Sequence, residues 1–126
     1  MIRKKNSTNK LPKKVNILGT EYKIFYDSER CDPKMAHADG YVERFLKEIH
    51  INSDLYDEEY KKDPSIAGGL ERHIPAVFRH EIIHAFLFEC GLWENCNWAT
   101  DEEMTDWFAK QFPKIQKVFK QLGVEE

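Results

Sequence analysis

The stretch Val77-Phe78-Arg79-His80-Glu81-Ile82-Ile83-His84-Ala85-Phe86 constrains this chain more than any other. Its centre, His80-Glu81-Ile82-Ile83-His84, is an HExxH motif. Residues four apart stack on one face of a helix, so His80 and His84 can turn both imidazoles to one metal ion. Glu81 lies about 100° further round, within reach of a water on that metal. Val77, Phe78, Ile82, Ile83, Ala85, Phe86, Leu87 and Phe88 make the helix apolar on most sides. Burying two histidines and a glutamate in such a helix is costly unless something pairs them. Two His and a carboxylate holding Zn2+, with a water in the fourth position, form a hydrolytic arrangement. The structural alternative is a core helix with two hydrogen-bonded histidines.

The rest of the composition sets the frame. A chain of 126 residues, 41 % hydrophobic and 13 % aromatic, suffices for one domain with its own core. We divide it into a basic, flexible tail over 1–13, with Arg3, Lys4, Lys5, Lys10 and Lys13, and a single domain over 14–126. A net charge of −3 argues against a nucleic-acid partner. No apolar run reaches the ~20 residues that span a bilayer, so no membrane partner is expected. The basic N-terminus lacks an apolar stretch behind it and does not read as a secretory signal. Cys31, Cys90 and Cys96 are odd in number and lack metal-ligand spacing; they read as free thiols of a cytoplasmic protein. Nothing indicates an oligomeric state.

Four strands are expected before the motif. Val15–Leu18 and Tyr22–Tyr26 flank a turn at Gly19-Thr20 and read as a hairpin. Asp27–Asp39 reads as a loop with room for a helical turn. Gly40–Glu43 and Lys47–Asn52 follow; in the second, Ile49 and Ile51 alternate with Glu48, His50 and Asn52, as in a sheet with one packed and one polar face. Leu55–Pro64 is charged, a short helix or loop, and Gly68-Gly69 breaks any helix before the motif. The motif helix begins near Pro75 or a turn earlier at Leu70, and ends where Gly91 suits the left-handed position. Thr100 and Glu103 form a capping box for a second helix that stops before Pro113. A last amphipathic helix, Lys114–Leu122, turns Ile115, Val118, Phe119 and Leu122 to one side. Trp93, Trp98 and Trp107 read as core.

The histidine pair needs a third protein ligand. The last position of a three-histidine motif holds Cys90, so a carboxylate must come from further on: Asp101, Glu102, Glu103 or Asp106. A capping role for Glu103 leaves Glu102 the freer.

At Asp101-Glu102-Glu103-Met104-Thr105-Asp106 the chain resembles the gluzincins, zinc peptidases with HExxH on one helix and a glutamate on the next, often in an Asn-Glu-x-x-x-Asp pattern. Asp101 stands in the Asn place. Glu102, Asp106 and Phe108-Ala109 also resemble the ExxxNxFA stretch of the ImmA/IrrE-type peptidases, with Asp106 in the Asn place. The layout from Val15 onward is similar to small metallopeptidase-like proteins of phages and prophages.

The resemblance implies an α+β zincin-like fold: a short antiparallel or mixed sheet packed on the HExxH helix and a glutamate helix, with a C-terminal helix. It implies Zn2+ on His80, His84 and Glu102, with Asp106 behind Glu102 to orient a ligand imidazole. Glu81 is then the general base in hydrolysis of a peptide or protein substrate. In such peptidases the substrate pairs with the sheet's edge strand, for which Lys47–Asn52 is the candidate. Tyr41, His50, Tyr56, His73 and Arg79 can supply the oxyanion donor; His73, seven residues before His80, has the best claim. The rival reading is a zinc-stabilised, non-catalytic regulatory or binding module of phage origin.

Overall fold

A computed structural model describes residues 11–57, 62 and 69–126 of the chain. Most of the expected N-terminal tail, most of the charged stretch up to Pro64, and Gly68 lie outside the described residues. Strands β1 (Lys14–Ile17) and β2 (Thr20–Asp27) form an antiparallel hairpin. Its turn is Leu18-Gly19, one residue earlier than expected. Both residues have positive φ, 51° and 94°, the pairing that matches the right-handed twist of a two-residue hairpin. Asn16 Oδ1 accepts from the Gly19 N–H at 2.8 Å and holds it closed. Pro12 and Lys13, expected in the tail, belong to the domain. Tyr26 Oη donates to the Pro12 carbonyl and the Ile24 N–H to that of Lys13.

β3 (Gly40–Glu43) and β4 (Glu48–Asn52) pair antiparallel, and β4 runs parallel to β2, giving the order β1-β2-β4-β3. The sheet is therefore mixed, and β4 is central. The edge strand near the HExxH helix is β3, which corrects the assignment of that role to Lys47–Asn52. The alternation along β4 falls as its sequence suggests. Ile49 and Ile51 are fully buried with Ile17, Tyr22 and Ile24, while His50 lies on the other face between the rings of Phe25 and Tyr41. A 3-10 turn, Pro33–His37, interrupts the long loop, and another, Ser53–Tyr56, follows β4.

Helix α1 (Leu70–Glu89) crosses the packed face, adding Leu70, Val77 and Ala85 to the core. Gly91, with φ 84°, ends it. Glu89 in its last turn clamps it to the sheet. It accepts from Thr20 Oγ1 (2.8 Å) and Tyr22 Oη (2.6 Å) and pairs with Lys47 Nζ (2.6 Å). A short helix α2 (Leu92–Asn95) and a 3-10 turn (Asn97–Thr100) lead to α3 (Glu102–Leu122).

Two expectations about α3 are corrected. Its cap is Asp101, whose Oδ1 accepts from the Glu103 N–H at 3.0 Å. Thr100 instead donates to the Asn97 carbonyl within the preceding turn. The helix also does not stop at Pro113; the expected second and third helices are one. An internal proline leaves the carbonyl four residues earlier without its N–H donor. Here that carbonyl belongs to Ala109, and Arg79 Nε of α1 donates to it at 2.5 Å. The proline's main cost is thereby met by a charged donor from the neighbouring helix. The buried side of α3 consists of Thr105 and Ala109, whereas Trp107, Phe112, Val118, Phe119 and Leu122 are exposed. Trp98 and Trp107, expected in the core, are about half exposed (50 % and 55 %).

The three partners of Glu89, Lys47 first, hold its carboxyl down at about 2. Folding lowers this pKa from the ordinary value of 4.5, so the clamp stabilises the native state above about pH 4.5 and its contribution disappears as the pH falls to about 2. Glu89→Gln is expected to lower stability at pH 7 by about 1–3 kcal/mol. In urea titrations across pH, its deficit against wild type should shrink between 4.5 and 2.

Candidate metal centre

Helical spacing on α1 turns His80 and His84 to the same side, with their rings 4.7 Å apart. The first residue of α3, Glu102, meets them. Its Oε1 lies 2.9 Å from His80 Nε2 and 3.1 Å from His84 Nε2, and the two nitrogens are 3.1 Å apart. Of the four acidic candidates, Glu102 alone reaches both imidazoles; Glu103 is exposed. Helical phase places it there, not competition for a capping box, since Asp101 caps the helix. Asp106, one turn on, brings Oδ1 within 3.4 Å of His80 Nδ1 and pairs its other oxygen with Lys110 at 2.8 Å.

Three acceptor-bearing atoms in a triangle of about 3 Å edges make a test of what belongs between them. With Glu102 ionised, one imidazole N–H leaves an edge of lone pair against lone pair and two set N–H against N–H, so one edge is always unfavourable. A cation satisfies all three at once. A tetrahedral zinc with ligands at about 2.0–2.1 Å has ligand–ligand edges of about 3.3 Å, close to those observed. Burial lowers the His84 pKa, which favours the neutral imidazole that a metal needs. Burial works to raise the Glu102 pKa, but the imidazoles of His84 and His80 outweigh it and hold the carboxylate below its ordinary value. The donor set therefore fits a zinc ion.

Glu81 stands beside this group, 5 % exposed. Burial, then the carboxylates of Glu102 and Asp39, push its pKa up to about 8. A divalent cation on the triad would oppose that rise. Gly40 at the start of β3 gives Glu81 its room: a Cβ there would lie 3.2 Å from Glu81 Cγ and 2.8 Å from the His50 carbonyl. Above the triad opens a cleft of about 440 Å3, bounded by β3, Arg44 and the rings of Phe45, Phe88 and Trp93. Gly40, Arg44, Phe88 and Trp93 carry no local sequence signal for this position, since only tertiary pairing brings them here.

The oxyanion candidates scatter. His73 lies in an adjoining recess that shares His80 and Glu81 with the cleft, and its Nε2 is 2.7 Å from Asp39 Oδ2. Tyr41 lines the cleft but donates its hydroxyl to Asp32. His50 lies on the sheet's outer face, Tyr56 packs against Tyr26, and Arg79 serves the Ala109 carbonyl. A second grouping of potential ligands, Asp27, Asp32 and His50, occurs on that outer face. Tyr41 already satisfies Asp32 there, and Glu48 the His50 Nε2.

No protein-family model, curated protein or solved structure matches this chain.

Elemental analysis of metal-loaded protein is expected to find one zinc per chain in wild type and in Glu103→Gln. The Glu102→Gln variant should lose most of it, because it removes one corner of the triangle.

Proposed function

We propose that the chain is a zinc-dependent metallopeptidase of zincin-like architecture, one of the small gluzincin-like proteins of phages and prophages related to the ImmA/IrrE-type peptidases. The observation that carries this reading is the convergence of His80, His84 and Glu102 on one point, with buried Glu81 alongside and a cleft on the open side. Zinc held there would polarise a carbonyl oxygen and lower the pKa of a water towards ~7. Glu81 takes the proton of the attacking water and passes it to the departing amine as the C–N bond breaks. Asp106 orients the His80 ring from behind, and Lys110 holds Asp106. The edge of β3, unpaired among the described residues, offers backbone groups to an extended substrate. His73 pairs with Asp39 in the adjoining recess rather than within the cleft.

A zinc-stabilised regulatory or binding module is the rival. A closed structural site takes four protein ligands. Among the described residues, no fourth His, Cys, Asp or Glu joins the triad, which favours a hydrolytic centre.

Glu81→Gln separates the two. On a fluorogenic peptide library the variant is expected to keep its zinc and lose about 10²–10⁴-fold in rate. A variant that keeps both zinc and a measured peptidase activity would overturn the proposal.

A further inference from the structure

The cleft has one cationic side chain among its described lining residues, Arg44, and it is held in an unusual way. It is the first residue after β3 and only partly exposed. Its guanidinium carbon lies 4.7 Å from the Phe45 ring centre and 5.8 Å from those of Phe88 and Trp93. Phe88 and Trp93 pack in turn against the imidazole of His84, at 6.3 and 5.9 Å. An unbroken run of rings thus joins a ligand histidine to the arginine.

A partly buried arginine normally meets a carboxylate. The nearest in sequence, Glu43, turns an oxygen to the Phe45 N–H at 3.4 Å and makes no ion pair with Arg44. Among the described residues, the Arg44 guanidinium makes no hydrogen bond or ion pair. Aromatic rings attract the faces of a guanidinium and leave its N–H edges available. Those edges form a planar fork that matches a carboxylate in bidentate fashion. The rings also fix the long side chain in advance, which reduces the entropy lost on binding.

We propose that Arg44 anchors the substrate, and that the cleft takes peptides with a carboxylate close to the scissile bond, bound by Arg44 while neighbouring apolar groups lie on Phe88 and Trp93. This rests on the peptidase reading of the metal site. The carboxylate comes from an acidic side chain or from the peptide's own C-terminus, and the two are separable by synthesis.

The test uses zinc-loaded protein and one set of short peptides in four forms: Glu or Gln at the varied position, each with a free-acid or an amidated end. Affinity is measured by calorimetry in the Glu81→Gln background, so that nothing is consumed, and turnover in the parent protein. Replacing the recognised carboxylate by an amide should weaken binding at least about tenfold. The Glu/Gln contrast identifies a side-chain source and the acid/amide contrast a terminal one. Arg44→Met, which keeps the stem among the rings, should abolish the discrimination with zinc content unchanged. Arg44→Glu should turn the preference to a Lys peptide. Equal affinity for all four forms, no binding of any, or a preference unchanged in Arg44→Met would overturn the assignment. Cleavage of charged and neutral peptides alike would overturn it and leave the peptidase reading standing. Charge-selective binding without turnover would do the reverse.

Discussion

The close contact between α1 and α3 is the constraint on which the site depends. Two histidines on one helix provide two corners of the candidate ligand triangle; the third has to arrive from another element at about 3 Å. Glu102 is the first residue of α3, and the side of α3 buried behind it is made of two small residues, Thr105 and Ala109. Small side chains at a helix crossing bring the backbones close. Arg79, one residue before the motif, locks the crossing by donating to the carbonyl that Pro113 frees. One arginine thus keeps α3 continuous and ties the helix of the histidines to the helix of the glutamate.

The opposite end of α1 is fixed with equal economy. Glu89 gathers Thr20, Tyr22 and Lys47, so the hairpin and the segment before β4 are tied to the helix that carries the motif. With β4 buried at the centre of the sheet, β3 is left on the edge beside the cleft. Gly40 opens that edge so that Glu81 can be packed against it without displacement. Burial there, with the carboxylates of Glu102 and Asp39 behind it, raises the Glu81 pKa.

Local features of the chain were legible wherever a local rule decides them. The alternation of Ile49 and Ile51 with His50 set the faces of β4, Gly91 marked the end of α1, and the HExxH spacing placed two imidazoles together. The place of Glu102 beside the two imidazoles was legible by pattern but not from a capping box, because Asp101 caps the helix. What the sequence hides is non-local. Pro113 reads as a stop until Arg79 is seen beside it. The central place of β4 follows from a parallel pairing with β2 across a long connection, which no window of sequence contains. The amphipathic stripe of α3 was legible, but its exposure was not: the helix packs through Thr105 and Ala109 and leaves Val118, Phe119 and Leu122 outside. Arg44, Phe88 and Trp93 belong to no motif and meet only in the folded chain.

On the proposed reading, His80, His84 and Glu102 hold one zinc with an open side. X-ray absorption at the zinc edge, on zinc-loaded protein, decides this. A nearest shell of nitrogen and oxygen at about 2.0–2.1 Å, with the outer-shell scattering of two imidazoles, is expected. A sulfur shell at about 2.3 Å would place the metal on cysteines such as Cys90 or Cys96 and contradict it, as would the absence of imidazole scattering.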